Sequence, residues 1–112
     1  VSMKPLHFLG SSLRDLNLKK FPVAVQEETG FELHNIQRGQ TPSDWKPMSI
    51  IGPGAMELRI HVGGEYRVVY VAKFAEAVYV LHIFTKKTPK TAKPDLELAK
   101  HRYNQLLKQR RS

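Results

Sequence analysis

The chain is predicted to fold as α+β: an N-terminal strand, a helical hairpin, a three-stranded antiparallel meander and a C-terminal helix. Three observations carry this expectation. From Met56 to Phe84 the sequence runs through MELRIHV, EYRVVYVAK and EAVYVLHIF, segments rich in β-branched and aromatic residues, with Gly63-Gly64 between the first two. Ahead of them, residues 22 to 38 carry an apolar stripe on helical spacing, and behind them Leu96, Ala99, Tyr103, Leu106 and Leu107 share one helical face.

The elements follow in order. Leu6, Phe8 and Leu9 form a first strand, which Pro5 marks as an edge and Gly10-Ser11-Ser12 ends. Ser11 or Ser12 caps a short helix through Asn17 that buries Leu13 and Leu16. Pro22, suited to a first helical position, opens a longer helix that runs to about Arg38 before Gly39. Phe21, Val25, Leu33 and Ile36 are its buried side, and Gly30 weakens its middle. Residues 39 to 54 hold three glycines and three prolines and read as a loop, yet Trp45, Met48, Ile50 and Ile51 require it to pack over the domain. Trp45 reads as a loop anchor, with a base-stacking platform as the other option. Asp95 is expected to cap the terminal helix, with Lys100, Arg102 and Lys108 off its apolar face. All helices are expected on one face of the sheet, in a single domain over residues 1–112 with no internal repeat.

Composition narrows the function. The chain has no cysteine, which excludes disulfides and thiolate metal sites, and no histidine spacing suits a metal. No apolar run spans a bilayer, and the first residues lack a signal-peptide layout, so a cytoplasmic protein is expected. The net charge of +8 is concentrated: from Thr85 to Ser112 nine basic residues face only Asp95 and Glu97. Such a distribution predicts an anionic partner, nucleic acid or an acidic protein surface; a solvated basic tail is the alternative.

The meander carries Arg59, His61, Arg67 and His82 among apolar neighbours. An unpaired buried charge is costly, so some of these side chains should face a solvated concavity. A two-residue turn at Gly63-Gly64 would put Arg59 and Arg67 on opposite faces. A three-residue loop or a bulge brings Arg59, His61 and Arg67 to one face, and the bulged arrangement, supplied by Gly63-Gly64-Glu65, is expected here.

The order of elements and the segments PSDWKPM, GPGAMELRI, GEYRVVYVAKF, VYVLHIFTKKT and ELAKHRY resemble the RelE/ParE toxin superfamily, in its HigB-type and phage-derived branch. The resemblance spans nearly the whole chain and implies a RelE-like fold. It also implies a toxin paired with an antitoxin, often one with a helix-turn-helix domain, and in many members cleavage of mRNA on the ribosome. In that chemistry the ribose 2′-hydroxyl attacks its own 3′ phosphate, so neither a metal, a cofactor nor a protein nucleophile is expected.

Arg59 and Arg67 suit the phosphate, because guanidinium binds its oxygens bidentately and stays charged. Lys87 matches a position where RelE-like members carry a basic catalytic residue, and Lys86, Lys90 and Lys93 suit a grip on the RNA backbone. His61 and His82 are the candidate proton carriers, each with a structural alternative: His82 as a hydrogen-bonded core residue, His61 as a solvent-facing strand residue. Tyr66, Tyr70 and Tyr79 read as cross-strand packing, and Tyr103 as core. Two other functions stay open: a ParE-like, non-enzymatic inhibitor of DNA gyrase, and a phage nucleic-acid-binding module without catalysis.

Overall fold

The computed structural model describes residues 3–18 and 21–112, folded as α+β around a five-stranded mixed sheet. The strands are β1 (Leu6–Phe8), β2 (Trp45–Pro47), β3 (Ala55–His61), β4 (Glu65–Val71) and β5 (Val78–Thr85); the helices are α1 (Ser12–Leu18), α2 (Val23–Gln37) and α3 (Lys93–Arg111). The sheet order is β1-β5-β4-β3-β2, with β1 parallel to β5 and every other pairing antiparallel.

The expected meander is present, and its first hairpin resolves the parity question. Arg59 pairs with Arg67 and His61 with Glu65, leaving Val62, Gly63 and Gly64 as a three-residue loop. Gly63 takes φ 64°, a left-handed conformation that glycine adopts without a Cβ penalty. Arg59, His61 and Arg67 therefore share one face, as the sequence led us to expect. A bulge lies further along: the register shifts where Val69 pairs with His82 and Tyr70 with Val80, leaving Leu81 as the extra residue. That single insertion turns His82 and Phe84 to the face of Arg67 and Val69.

Five expectations need correction. The proline-rich segment is not all loop, because Trp45–Pro47 adds an edge strand to β3; three residues ending in Pro47 show no alternation to read. Met48 and Ile51 pack into the core there, but Trp45 and Ile50 stay exposed. The helices lie on both faces of the sheet rather than one. Leu16, Val25, Leu33 and Ile36 of the hairpin pack with Leu58, Ile60, Val68 and Val80, whereas Ala99, Tyr103 and Leu106 of α3 pack with Val69, Val71, Tyr79 and Leu81. A sheet covered twice has buried residues on both parities, which is why β4 and β5 are buried at nearly every position.

The helix ends and faces supply the other three corrections. Leu13 is exposed while Leu16 is buried. Asp95 does not cap α3, which begins at Lys93 after Ala92, and Pro94 supplies the start signal instead. Arg102, expected off the buried face, is buried: its guanidinium donates to Leu81 O at 2.9 Å and to Ser11 Oγ at 3.2 Å, tying α3 to β5 and to the entry of α1. Tyr103 is core as expected, with its hydroxyl donating to Pro53 O at 2.7 Å.

Candidate active site

The side chains that alternation sends to the α3 face do not all lie under α3. Along β3 they are Ala55, Glu57, Arg59 and His61, and along β4 Glu65, Arg67, Val69 and Val71. Helix α3 covers the end with Val69 and Val71, and the charged end is left to itself.

At its centre is Glu57, whose side chain is 0% exposed. Its Oε1 lies 3.4 Å from Arg59 Nε, 3.7 Å from Arg67 Nε and 4.0 Å from Lys46 Nζ. Arg59 and Arg67 stand directly opposite each other on neighbouring strands. Like charges in that position destabilise a sheet, so the shared carboxylate is what makes the pairing tolerable. The two guanidiniums differ in access: the Arg67 side chain is 7% exposed, with Nη1 donating to Glu65 Oε1 and Tyr66 O, whereas Arg59 is 30% exposed. Glu57 Oε2 and Arg67 Nε are buried without a hydrogen-bond partner, two unmet groups in one cluster.

His61 closes the exposed end. Its Nε2 is 2.6 Å from Asp44 Oδ2 and its Nδ1 is 2.8 Å from Glu65 Oε2. The hydrogen bond to Glu65, then that to Asp44, raises the His61 pKa above its ordinary value, and the same contacts lower both carboxyls. Asp44 also lies 3.9 Å from Arg59 Nη1. On the other flank the loop after β5 returns to β4 through Lys86 N donating to Glu65 O at 2.8 Å. Burial, and then repulsion from Arg67, lowers the Lys86 pKa. A cleft of about 340 Å³ lined by Glu65, Arg67, Lys86, Lys87, Thr88 and Pro89 opens beside this loop.

The structure thus brings Arg59, Arg67, His61 and Lys86 together, with Lys87 on the rim of the same cleft. Lys90 and Lys93 lie exposed further along the chain. His82 is not part of the cluster. It is 6% exposed, stacks on Phe84, and pairs through Nε2 with Asp95 Oδ1 at 2.8 Å, while its Nδ1 has no partner. Burial pushes its pKa down against the opposing pull of Asp95. From His61 it is four residues along the strands, about 13 Å, and two strand spacings across, about 10 Å. One phosphate does not span that distance.

Four members of the cluster escaped the sequence reading: Asp44, Lys46, Glu57 and Glu65. Glu57 had a signal, since Glu57, Arg59 and His61 alternate with Leu58 and Ile60 and so share a face. Asp44 and Lys46 had none, because only β2 pairing brings them across. Among the described residues no group of three or more His, Cys, Asp or Glu is arranged to hold a metal ion, and no helix is long and apolar enough to cross a membrane.

A family model described as "Phage derived protein Gp49-like (DUF891)" matches residues 17–104, more than three quarters of the chain. The chain belongs to this family. No curated protein matches it. Every residue of the charged cluster in this Gp49-like protein falls inside the matched segment, from Asp44 to Lys86.

Proposed function

We propose that this Gp49-like protein is the toxin of a type II toxin–antitoxin pair, of the RelE/HigB kind, and that it cleaves mRNA held on the ribosome. The observation that carries the reading is the facing pair Arg59 and Arg67 around buried Glu57. A sheet needing only stability has no use for two opposed guanidiniums on one carboxylate, and apolar residues there would serve it as well or better.

The cluster suits attack of a ribose 2′-hydroxyl on the adjacent phosphate. The phosphate lies over Arg59, the more accessible guanidinium, with Lys46, Lys86 and Lys87 flanking it and Arg67 fixing Glu57 from below. A phosphate that draws Arg59 outward uncovers Glu57 Oε1, the oxygen that Arg59 holds, to take the 2′-hydroxyl proton. The new bond joins the 2′ oxygen to phosphorus, and the bond to the 5′ oxygen breaks. His61, whose pKa the hydrogen bonds to Glu65 and Asp44 raise, gives a proton to that leaving oxygen. The products are a 2′,3′-cyclic phosphate and a 5′-hydroxyl. His82, neutral and paired with Asp95, shapes the β5 side of the rim beside Lys87.

The antitoxin expected to neutralise the chain is acidic where it meets this surface. Displacement of α3 is disfavoured as its mode of action, because buried Arg102, Tyr103 and Leu106 all anchor that helix. The test is induction of the chain and of Arg67→Ala in a bacterial host, mapping 5′ ends of a reporter mRNA with and without translation. Cuts confined to translated regions and lost in the variant are expected. Growth arrest with intact mRNA would overturn the reading in favour of a gyrase-type inhibitor.

A further inference from the structure

Of the nine cations in the last quarter, only Lys86 and Lys87 lie at the cluster. Within α3, Ala99, Arg102, Tyr103 and Leu106 define the buried side. At 100° per residue, Lys93, Lys100, Lys108 and Arg111 fall together on the outer side, with Glu97 as the one acid among them. None of the four cations takes part in an ion pair among the described residues, whereas Arg110, one residue away, is held by Glu76 and lies over the Phe74 ring. The outer row is therefore a set of uncompensated charges on a rigid rod about 28 Å long.

Leu96, Tyr103 and Leu107 lie on the same flank of α3 as Lys100, and Tyr103 reaches Pro53 in the loop that leads into β3. Of the row, Lys100 thus lies on the β3 side of the helix, and Lys93 follows directly from the loop of Lys86 and Lys87. The matched family segment ends at residue 104, so Lys108 and Arg111 extend the row beyond it.

We infer that the outer face of α3 is a second, non-catalytic docking track for the sugar–phosphate backbone of double-stranded RNA, such as a helix of structured RNA beside the cleaved strand. It deepens the RNA-cleaving reading of the Arg59 and Arg67 cluster, on which its purpose rests. Charge complementarity names a polyanion, and the composition of the row names a duplex. Single strands are held by aromatic platforms on which bases stack, and the row has no Phe, Tyr or Trp. Duplex RNA is gripped through backbone and shape, which cations spread along one face of a straight helix supply.

The test measures binding of a blunt RNA duplex by the full chain in its Arg67→Ala form, so that cleavage plays no part, across a salt series. The comparison is the same chain with Lys93→Gln, Lys100→Gln, Lys108→Gln and Arg111→Gln. Loss of four phosphate contacts should weaken binding at least tenfold and reduce the salt slope by about 3, with an unchanged thermal transition. Equal affinity and slope in the two forms would overturn the inference. So would preference for a single-stranded RNA of the same length, equal binding of a DNA duplex, or loss of binding to an acidic antitoxin with duplex binding intact. Failure of the cluster to cleave mRNA would leave these measurements unchanged, so the two proposals fail separately.

Discussion

The two faces of one sheet obey different rules. On the hairpin side, Leu58, Ile60, Tyr66, Val68, Tyr70 and Val80 are sealed beneath α1 and α2. On the other side the same strands carry apolar residues at one end, under α3, and Glu57, Arg59, His61 and Arg67 at the other, with Glu57 Oε2 and Arg67 Nε unpaired; on the hairpin side the unpaired buried atoms, Thr29 Oγ1 and Glu32 Oε1, belong to α2 and not to the strands. Alternation sends neighbouring residues to opposite faces, so Leu58 and Arg59 share a backbone and serve opposite ends. The hairpin face supplies the stability that lets the charged face keep its conflict.

That division is open to experiment. The largest effect should come from Leu58→Ala, which empties a fully buried site and should cost about 3 kcal/mol of unfolding free energy in a urea titration. One residue along, Arg59→Ala should change stability by less than about 1 kcal/mol, because its side chain is partly solvated. Its cleavage rate should instead fall roughly a hundredfold, equivalent to about 3 kcal/mol in the barrier. Equal losses of stability in the two variants would erase the distinction between the faces.

Much of this division was legible beforehand, and its gaps have physical causes. Parity showed that Arg59, His61 and Arg67 come together only with one residue more than the Gly63-Gly64 pair in the turn, because a hairpin's register follows from its turn, and Val62 is that residue. The face of His82 was not legible, since it depends on one inserted residue, Leu81, that no local pattern marks. The apolar stripes of α2 and α3 fixed which side of each helix is buried, apart from the polar Thr29, Glu32 and Arg102, but a stripe does not say which face of a sheet it meets. Glu57 was visible as a charge in an apolar strand; its full burial and its three cationic neighbours came only with β2 and β4 in place.

Two smaller effects sharpen the picture of the α3 side. Tyr103→Phe removes the hydrogen bond to Pro53 O without a cavity and should cost about 1 kcal/mol by thermal or urea unfolding. Its cleavage rate should stay near that of the parent, since no part of the cluster rests on that hydroxyl. The histidines should give opposite pH dependences. His82 has a lowered folded pKa, so its contribution is present above the unfolded value of 6.5 and is lost as pH falls through the folded value. His61 has a raised folded pKa, so its contribution is present below 6.5 and is lost as pH rises through the folded value. Stability against pH should therefore flatten on the acid side in His82→Phe and on the neutral-to-alkaline side in His61→Gln.

The most direct test joins the two faces in one protein, the triple variant Glu57→Leu, Arg59→Leu and Arg67→Met. If the charged cluster is kept for chemistry, exchanging it for apolar residues should leave the urea unfolding free energy unchanged or raise it by about 1 to 4 kcal/mol, while mRNA cleavage disappears. A loss of more than about 2 kcal/mol would contradict this, because it would make Glu57, Arg59 and Arg67 part of what holds the fold together.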